Sequence, residues 1–300
     1  MSLAGTGAQG HGGTDGLLLV DKPAGPTSHD VVAAVRRVLG ERRVGHAGTL
    51  DPAATGLLVV LAGRATRLAR FVALLPKWYR GTVRFGWETT SDDATGEPLE
   101  RDERWRERSD ADVAAAVTSL AGCATQVPPR VSAKKVAGER AYTRTRRGEV
   151  LTMEAVPVTI HAITAGGPLD RATGELVVEV RCGAGTYVRS IARDLGRALG
   201  SRAHLGALRR LGIGPWRVED ALPLAALALG RPELRPLAEA VRHLPALEIG
   251  PANADAITHG RKIEEAAHLE GPVALCGMGR LLAVAEWREG RYAPLVVLTS

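Results

Sequence analysis

Apolar residues along the chain fall into short runs and alternations, broken by Gly, Pro and Asp. Leu17 to Val20 form a compact apolar run that ends at the Pro-Ala-Gly-Pro stretch 23–26, which predicts a strand and a turn. Thr27 or Ser28 then stands where a helix cap belongs, with Val31, Val32, Val35 and Val38 on one side of the following turns. "GLLVVLAG" (56–63) predicts a buried strand, "RATRLARFVALLP" (64–76) an amphipathic helix, and "YRGTVRFGWET" (79–89) a longer strand before an acidic turn. Ser109 or Asp110 caps a predicted helix over 111–122. Two strand-like stretches, 156–165 and 174–182, are joined by the hairpin-like "GGPLDRATG". A helix over 185–200 and a strand over 204–216 follow, then a Leu- and Pro-rich short helix and connector over 221–250. Two further strand candidates, 274–292 and 294–300, close the chain. Strands and helices mix without regular βαβ alternation, so the expected class is α+β with a mixed, mainly antiparallel sheet.

Composition narrows the setting. At 300 residues, 45% hydrophobic and 24% charged, the chain can bury a substantial core plus a small appendage. No run approaches the roughly 18 apolar residues that span a bilayer. The first fifteen residues lack the basic start and apolar core of a signal peptide and read as a disordered tail, so a cytoplasmic location is the default. Cys123, Cys182 and Cys276 are scattered without Cys-x-x-Cys spacing, which argues against a zinc site or a disulfide framework.

Charge is unevenly spread. The segment 128–148, "PPRVSAKKVAGERAYTRTRRG", contains seven Lys or Arg and one Glu, so its net charge (7 − 1 = +6) equals that of the whole chain. A concentrated basic segment on a neutral body suits a polyanionic partner, because neutralising phosphates releases condensed counterions.

The loop "GHAGTLDPAATG" (45–56) holds the most distinctive chemistry. It lacks the Gly-Lys-Ser/Thr ending of a phosphate-binding loop. Asp51 is its one carboxylate, where glycosidase chemistry needs two. His46 and Asp51 have no nucleophile elbow to join. An aspartyl-phosphate mechanism would need further acidic metal ligands beside Asp51.

Five stretches in order decide between these absences: "LLLVDKPAGPTSHDVV", "RRVGHAGTLDPAATGLLVV", "KWYRGTVRFG", "GAGTYVRSIARDLG" and "AHLGALRRLGIG". Over residues 16 to 220 the chain resembles the bacterial TruB-type tRNA pseudouridine synthases, which isomerise uridine 55 in the tRNA T-loop. The resemblance implies a catalytic domain over 16–245, with 128–148 as its RNA-gripping insertion, and a reduced PUA-like RNA-binding domain over 246–300.

It also implies roles for particular residues. Asp51 matches the catalytic aspartate. A lone carboxylate suffices because the isomerisation breaks the N-glycosidic bond, turns the uracil and rejoins it through C5, with no cofactor and no metal. Arg189 matches the arginine that keeps this carboxylate ionised and oriented. Tyr79 matches the tyrosine that stacks on the target base, and Leu208 an apolar residue of the same pocket. His46 matches a histidine that helps occupy the space left by the everted nucleotide. Lys22, with Pro23, belongs to a motif that supports the active-site wall; Lys22 is expected to be structural or, as a substrate-binding residue, RNA-facing, with no proton role. In the insertion, Lys135, Arg140, Arg144 and Arg147 are expected to contact phosphates, with Tyr142 packing or stacking.

The chain departs from the pattern at Lys134, where an apolar residue is common, and at Ala53, where a larger aliphatic is common. Two other readings remain on this scaffold. A non-catalytic RNA-binding protein or tRNA chaperone would have lost Asp51, Tyr79 or Arg189, and all three are present. A guide-RNA-dependent relative usually carries a fuller C-terminal domain and no large insertion. The expectation is therefore a monomeric enzyme acting on the tRNA T-arm, with no membrane and no obligate protein partner.

Overall fold

The computed structural model describes residues 14–129 and 153–298, together with the backbone of 135–136 and 139–140. β1 (Gly16–Lys22) leads through the proline turn into α1 (Ser28–Leu39). β2 (Val44–His46) and β3 (Thr55–Ala62) flank the glycine-rich loop, and α2 (Ala69–Ala73) follows. Next come β4 (Lys77–Phe85), α3 (Asp110–Ser119), β5 (Ile160–Ala165) and β6 (Glu175–Cys182). α4 (Val188–Ala198), β7 (Ala203–Ile213), β8 (Trp216–Arg217) and β9 (Leu222–Pro223) complete the main body.

Among the described residues these strands make one nine-stranded sheet in the order β5-β6-β4-β7-β3-β1-β9, with β2 on β3 and β8 on β7. Neighbours are antiparallel except β7 on β3 and β1 on β9, so the mixed, mainly antiparallel expectation holds. The period of two along a strand explains how one sheet serves several cores. Leu17 and Leu19 of β1, with Leu57, Val59 and Leu61 of β3, face one cluster. Leu18 and Val20, with Leu58 and Val60, face another under α1. On the far half, Tyr79, Val83 and Phe85 of β4 meet Leu176, Val178 and Val180 of β6 beneath Ile191 and Leu195 of α4.

Caps fall where the sequence puts them. Thr27 and Asp30 form a capping box at α1, and Ser109 and Asp112 another at α3. Other elements differ. The long strand expected over 79–89 stops at Phe85, because Gly86 takes a φ of 115°. The acidic turn then sits in a separate hairpin of Trp87–Thr89 and Pro98–Arg101. The amphipathic helix expected over 64–76 is a 3-10 turn, Gly63–Leu68, followed by the short α2. Its entry is drawn tight by Asp15, whose carboxylate accepts both the Arg64 backbone N–H and its guanidinium Nε.

The C-terminal part is a four-stranded sheet of β10 (Ala246–Glu248), β11 (Pro272–Gly277), β12 (Arg280–Arg288) and β13 (Arg291–Val297), paired in chain order. It packs with α5 (Pro251–Thr258) around Ile257, Val273, Leu275 and Tyr292, a small β domain that fits the PUA-like expectation. The single strand candidate over 274–292 takes in β11, β12 and the start of β13, separated at Met278 and Gly279 and again at Glu289 and Gly290, all at positive φ. α5 escaped the sequence reading because it buries little beyond Ala254 and Ile257. This sheet is fastened to the main body by three arginines. Arg64, Arg67 and Arg70 donate to the main-chain oxygens of Leu298, Val297 and Leu295 at 2.7, 2.6 and 3.2 Å.

Candidate active site

Asp51 is held by its neighbours' backbone. Leu50, just before it, is buried and exchanges two hydrogen bonds with the buried Ser28 hydroxyl: Leu50 N–H donates at 2.9 Å and its carbonyl accepts at 3.0 Å. Pro52, just after it, has its carbonyl gripped by Lys22 Nζ at 3.1 Å and by the Gly25 N–H at 2.9 Å. The Ala54 N–H closes the turn onto the Asp51 carbonyl. Between these fixed points the Asp51 side chain stays 45% exposed, a carboxylate presented outward from a rigid base.

Lys22 itself is fully buried, and its ammonium donates to the carbonyls of Pro23, Pro26 and Pro52. Its three N–H donors are thus all used within the fold. Burial lowers its pKa, with Asp51 pulling the other way. The expectation that Lys22 faces RNA is therefore corrected: it ties the proline turn to the Asp51 loop.

Arg189, in the first turn of α4, reaches Asp51 Oδ2 through Nε at 3.2 Å. Its other branch meets Asp93 Oδ2 at 3.5 Å and donates to the Ser91 carbonyl at 3.1 Å. The helical spacing repeats the pattern: Arg193 pairs with the buried Asp92 at 2.7 Å and Arg197 with Glu88 at 2.7 Å. One face of α4 thus clamps the acidic hairpin. Asp92 holds a φ of 59° there, and burial raises its carboxyl pKa even beside Arg193.

Tyr79, Leu208 and Arg189 line one cavity with Asp51, of about 150 Å³, closed also by Thr186 and Tyr187. All four residues assigned to the chemistry therefore meet in one place. The Tyr79 hydroxyl is deeply buried and its pKa is raised by that burial, so it stays protonated through the neutral range. A roomier hollow of about 540 Å³ between α3 and the end of α4 offers Arg108, Arg197 and Asp112. The Asp112 carboxylate is engaged in its capping box, so no group there is free to open a glycosidic bond.

His46 lies on β2, outside that cavity, half-buried and edge-on to His29 of α1 with ring centroids 5.5 Å apart. Burial, and then His29 and Arg210, lower its pKa, so the neutral ring is favoured. Lys77, inward on β4, was not singled out in the sequence. Burial and then the Arg210 charge bring its ammonium down from 10.5 to about 8. The unfolded chain keeps the higher value, so folding favours the neutral amine and stability rises with pH from about 8 towards 10.5. Lys77→Met removes that dependence. Relative to wild type, its stability in urea is expected to be on the order of 2 kcal/mol greater at pH 7 than at pH 10.5.

A profile of the TruB family pseudouridylate synthase N-terminal domain matches residues 36–188, about half of the chain. The tRNA pseudouridine synthase B of Thermobifida fusca is 50% identical over 294 residues, covering 95% of this chain and 99% of that one. The chain belongs to the TruB family. Further TruB relatives are the proteins of the same name from Nocardia farcinica, 45% identical over 94% of this chain and 93% of theirs, and Gloeobacter violaceus, 45% identical over 95% and 99%. At the level of fold, a Cbf5 chain of a Cbf5-Nop10-Gar1 complex superposes with a TM-score of 0.71 at 23% identity, covering 95% of this chain and 85% of that one. Membership makes the chain a pseudouridine synthase, an isomerase, and the TruB profile spans Asp51 and Tyr79 and ends one residue before Arg189. Among the described residues no helix is long and apolar enough to cross a membrane, and no cluster of His, Cys, Asp and Glu is arranged to hold a metal ion.

The insertion is the part of the TruB sequence reading that the geometry leaves aside. Lys135 and Arg140 sit opposite one another on the paired strands Lys135–Val136 and Glu139–Arg140, described as backbone. Tyr142, Arg144 and Arg147 lie outside the described residues.

Proposed function

We infer that the chain converts uridine 55 of the tRNA T-loop to pseudouridine. The observation that carries this reading is the single cavity in which a lone aspartate, its arginine, an aromatic ring and an apolar wall converge. The tRNA named in the relatives' description supplies the substrate class.

A cavity of about 150 Å³ suits one base and not a length of helix, so the target uridine has to leave its stack. Tyr79 is then placed to stack on the uracil and Leu208 to exclude water beside it. Asp51 acts on the nucleoside either as a nucleophile or as a base on the ribose. In either case the bond from C1′ to N1 breaks and a bond from C1′ to C5 forms. N1 ends with a proton and the C5 proton leaves to solvent. No electrons are exchanged with a cofactor and no metal is needed. Arg189 keeps the carboxylate ionised and aimed through this sequence.

His46 is placed by this reading to fill the gap left by the extruded nucleotide. The basic segment 128–148 would grip phosphates through Lys135, Arg140, Arg144 and Arg147, with Tyr142 packing against the RNA. Residues 16–245 act as the catalytic unit and 246–300 as a reduced RNA-binding unit on the acceptor side. The enzyme works as a monomer in the cytoplasm, without a protein partner.

The test is tritium release from a tRNA transcript labelled at uracil C5, beside the same transcript with U55→C. One tritium released per wild-type tRNA, and none from the U55→C transcript, is the expected result. Equal release from both transcripts removes the position-55 assignment, and tight binding without release leaves an RNA-binding or chaperone protein.

A further inference from the structure

Under the glycine-rich loop lies a guanidinium that the proposed chemistry leaves without a task. Arg209 and Arg210 are neighbours on β7, and strand alternation sends them to opposite faces. Arg209 forms an ion pair with Asp21 at 2.7 Å, with both side chains partly exposed. Arg210 is buried at 1% exposure.

Its donors go to main-chain oxygens. Nε donates to Leu57 O at 2.7 Å, and the two terminal nitrogens to Gly48 O at 3.0 Å and Thr49 O at 3.3 Å. Directly opposite on β4 stands Tyr79, and the Arg210 charge works against the burial that raises the tyrosine's pKa. On the other flank Arg210 pairs with Gly56, where φ is 101° and a Cβ would stand 2.2 Å from the Arg210 carbonyl oxygen. That close approach presses β7 against the start of β3 and sets how far the side chain reaches. At Gly48, where φ is 108°, a Cβ would lie 3.6 Å from an Arg210 terminal nitrogen, so guanidinium and loop are in contact.

Burying a cation is costly unless its donors are met, and a carboxylate would be the usual partner. Here the fork is aimed instead at the carbonyls two and three residues before Asp51, on a residue that the strand ladder sets directly opposite Tyr79. We propose that Arg210 is a positioning residue for the isomerisation, a single rigid group that registers the Asp51 loop against the Tyr79 ring. The inference rests on the functional reading above. Ser28 and Lys22 fix the residues on either side of Asp51; Arg210 fixes the distance from that loop to the base platform. Without it the loop would retain its ends and lose its alignment with the ring. A misplacement of about 1 Å costs roughly 100-fold in rate.

The full chain is assayed as Arg210→Met and Arg210→Lys, with Gly48→Ala shifting the loop through its φ of 108° at the carbonyl that Arg210 holds. Single-turnover tritium release at saturating enzyme gives the rate, filter binding of the same tRNA gives Kd, and circular dichroism confirms a cooperative fold. Arg210→Met is expected to lose about 100-fold in rate with Kd within about threefold of wild type, a split that a merely structural role would not produce. Arg210→Lys should recover part of the rate, because a point charge can meet one carbonyl at a time. Should Arg210→Met fail to fold, Arg210→Lys and Gly48→Ala decide, each expected to slow release about tenfold or more at unchanged Kd. Wild-type rates in the folded variants, or rate and affinity falling together, overturn the inference alone. A wild-type chain that releases no tritium overturns the functional reading and the inference with it.

Discussion

Asp51→Asn is expected to reduce single-turnover tritium release by roughly 10⁴-fold or more while leaving tRNA affinity within a few-fold of wild type. Asparagine keeps the shape of the side chain and still accepts from the Arg189 Nε at the position where Asp51 Oδ2 stands 3.2 Å away. It cannot attack carbon or take a proton, so both routes open to the carboxylate are lost. The fold should barely register the change, because the loop is held through the backbone of Leu50 and Pro52 and not through the half-exposed Asp51 carboxylate. A thermal midpoint within a few degrees of wild type, with normal filter binding and no release, is the complete expected pattern. Appreciable release from a clean Asp51→Asn preparation would move the chemistry to another group.

Arg189→Met should cost both rate and stability. The buried guanidinium lies between Asp51 and Asp93 and also donates to the Ser91 carbonyl. Removing it leaves two carboxylates facing one another across an apolar side chain, with the acidic hairpin still tied by Arg193 and Arg197. Breaking such a buried pair costs about 3 kcal/mol, and urea unfolding should show it. The rate should fall roughly 10²- to 10³-fold at saturating enzyme, since Asp51 loses both its orientation and its compensating charge. Arg189→Lys is expected to restore more stability than rate: a point charge stays near both acids but cannot fork between them. A variant that loses stability and keeps its rate would reduce Arg189 to a structural tie.

What was legible in the sequence follows how local the cause is. Thr27 and Ser109 announce their helices because a cap is satisfied within one turn. The alternation in β4 and β6 and the apolar run of β3 report the faces they bury. Asp51, Tyr79, Arg189 and Leu208 were assigned through ordered motifs, although nothing local says that residues 51, 79, 189 and 208 share a cavity. Arg210, Lys77 and Asp93 escaped for the complementary reason. Arg210 is the second of two identical letters, and only the pleat of β7 shows which one turns inward. Lys22 was left between a structural and an RNA-facing role because a lysine in a turn reads as solvated until its three carbonyl partners are assembled around it. The helix expected over 64–76 was shortened by contacts to residues 15 and 295–298, both remote in sequence.

Those contacts bear on how the molecule can change over generations. Arg64, Arg67 and Arg70 hold the last strand by carbonyl oxygens, which any amino acid supplies. The polar half of the attachment is therefore indifferent to the side chains at 295–298, while the buried Leu298, with Leu295 and Val296 packed on the same core as Leu17 and Leu57, has to stay apolar. Mutational tolerance should be lopsided across this seam, with the outward positions of the small sheet free to vary while each arginine and the core-facing Ala274, Val284 and Leu298 are held.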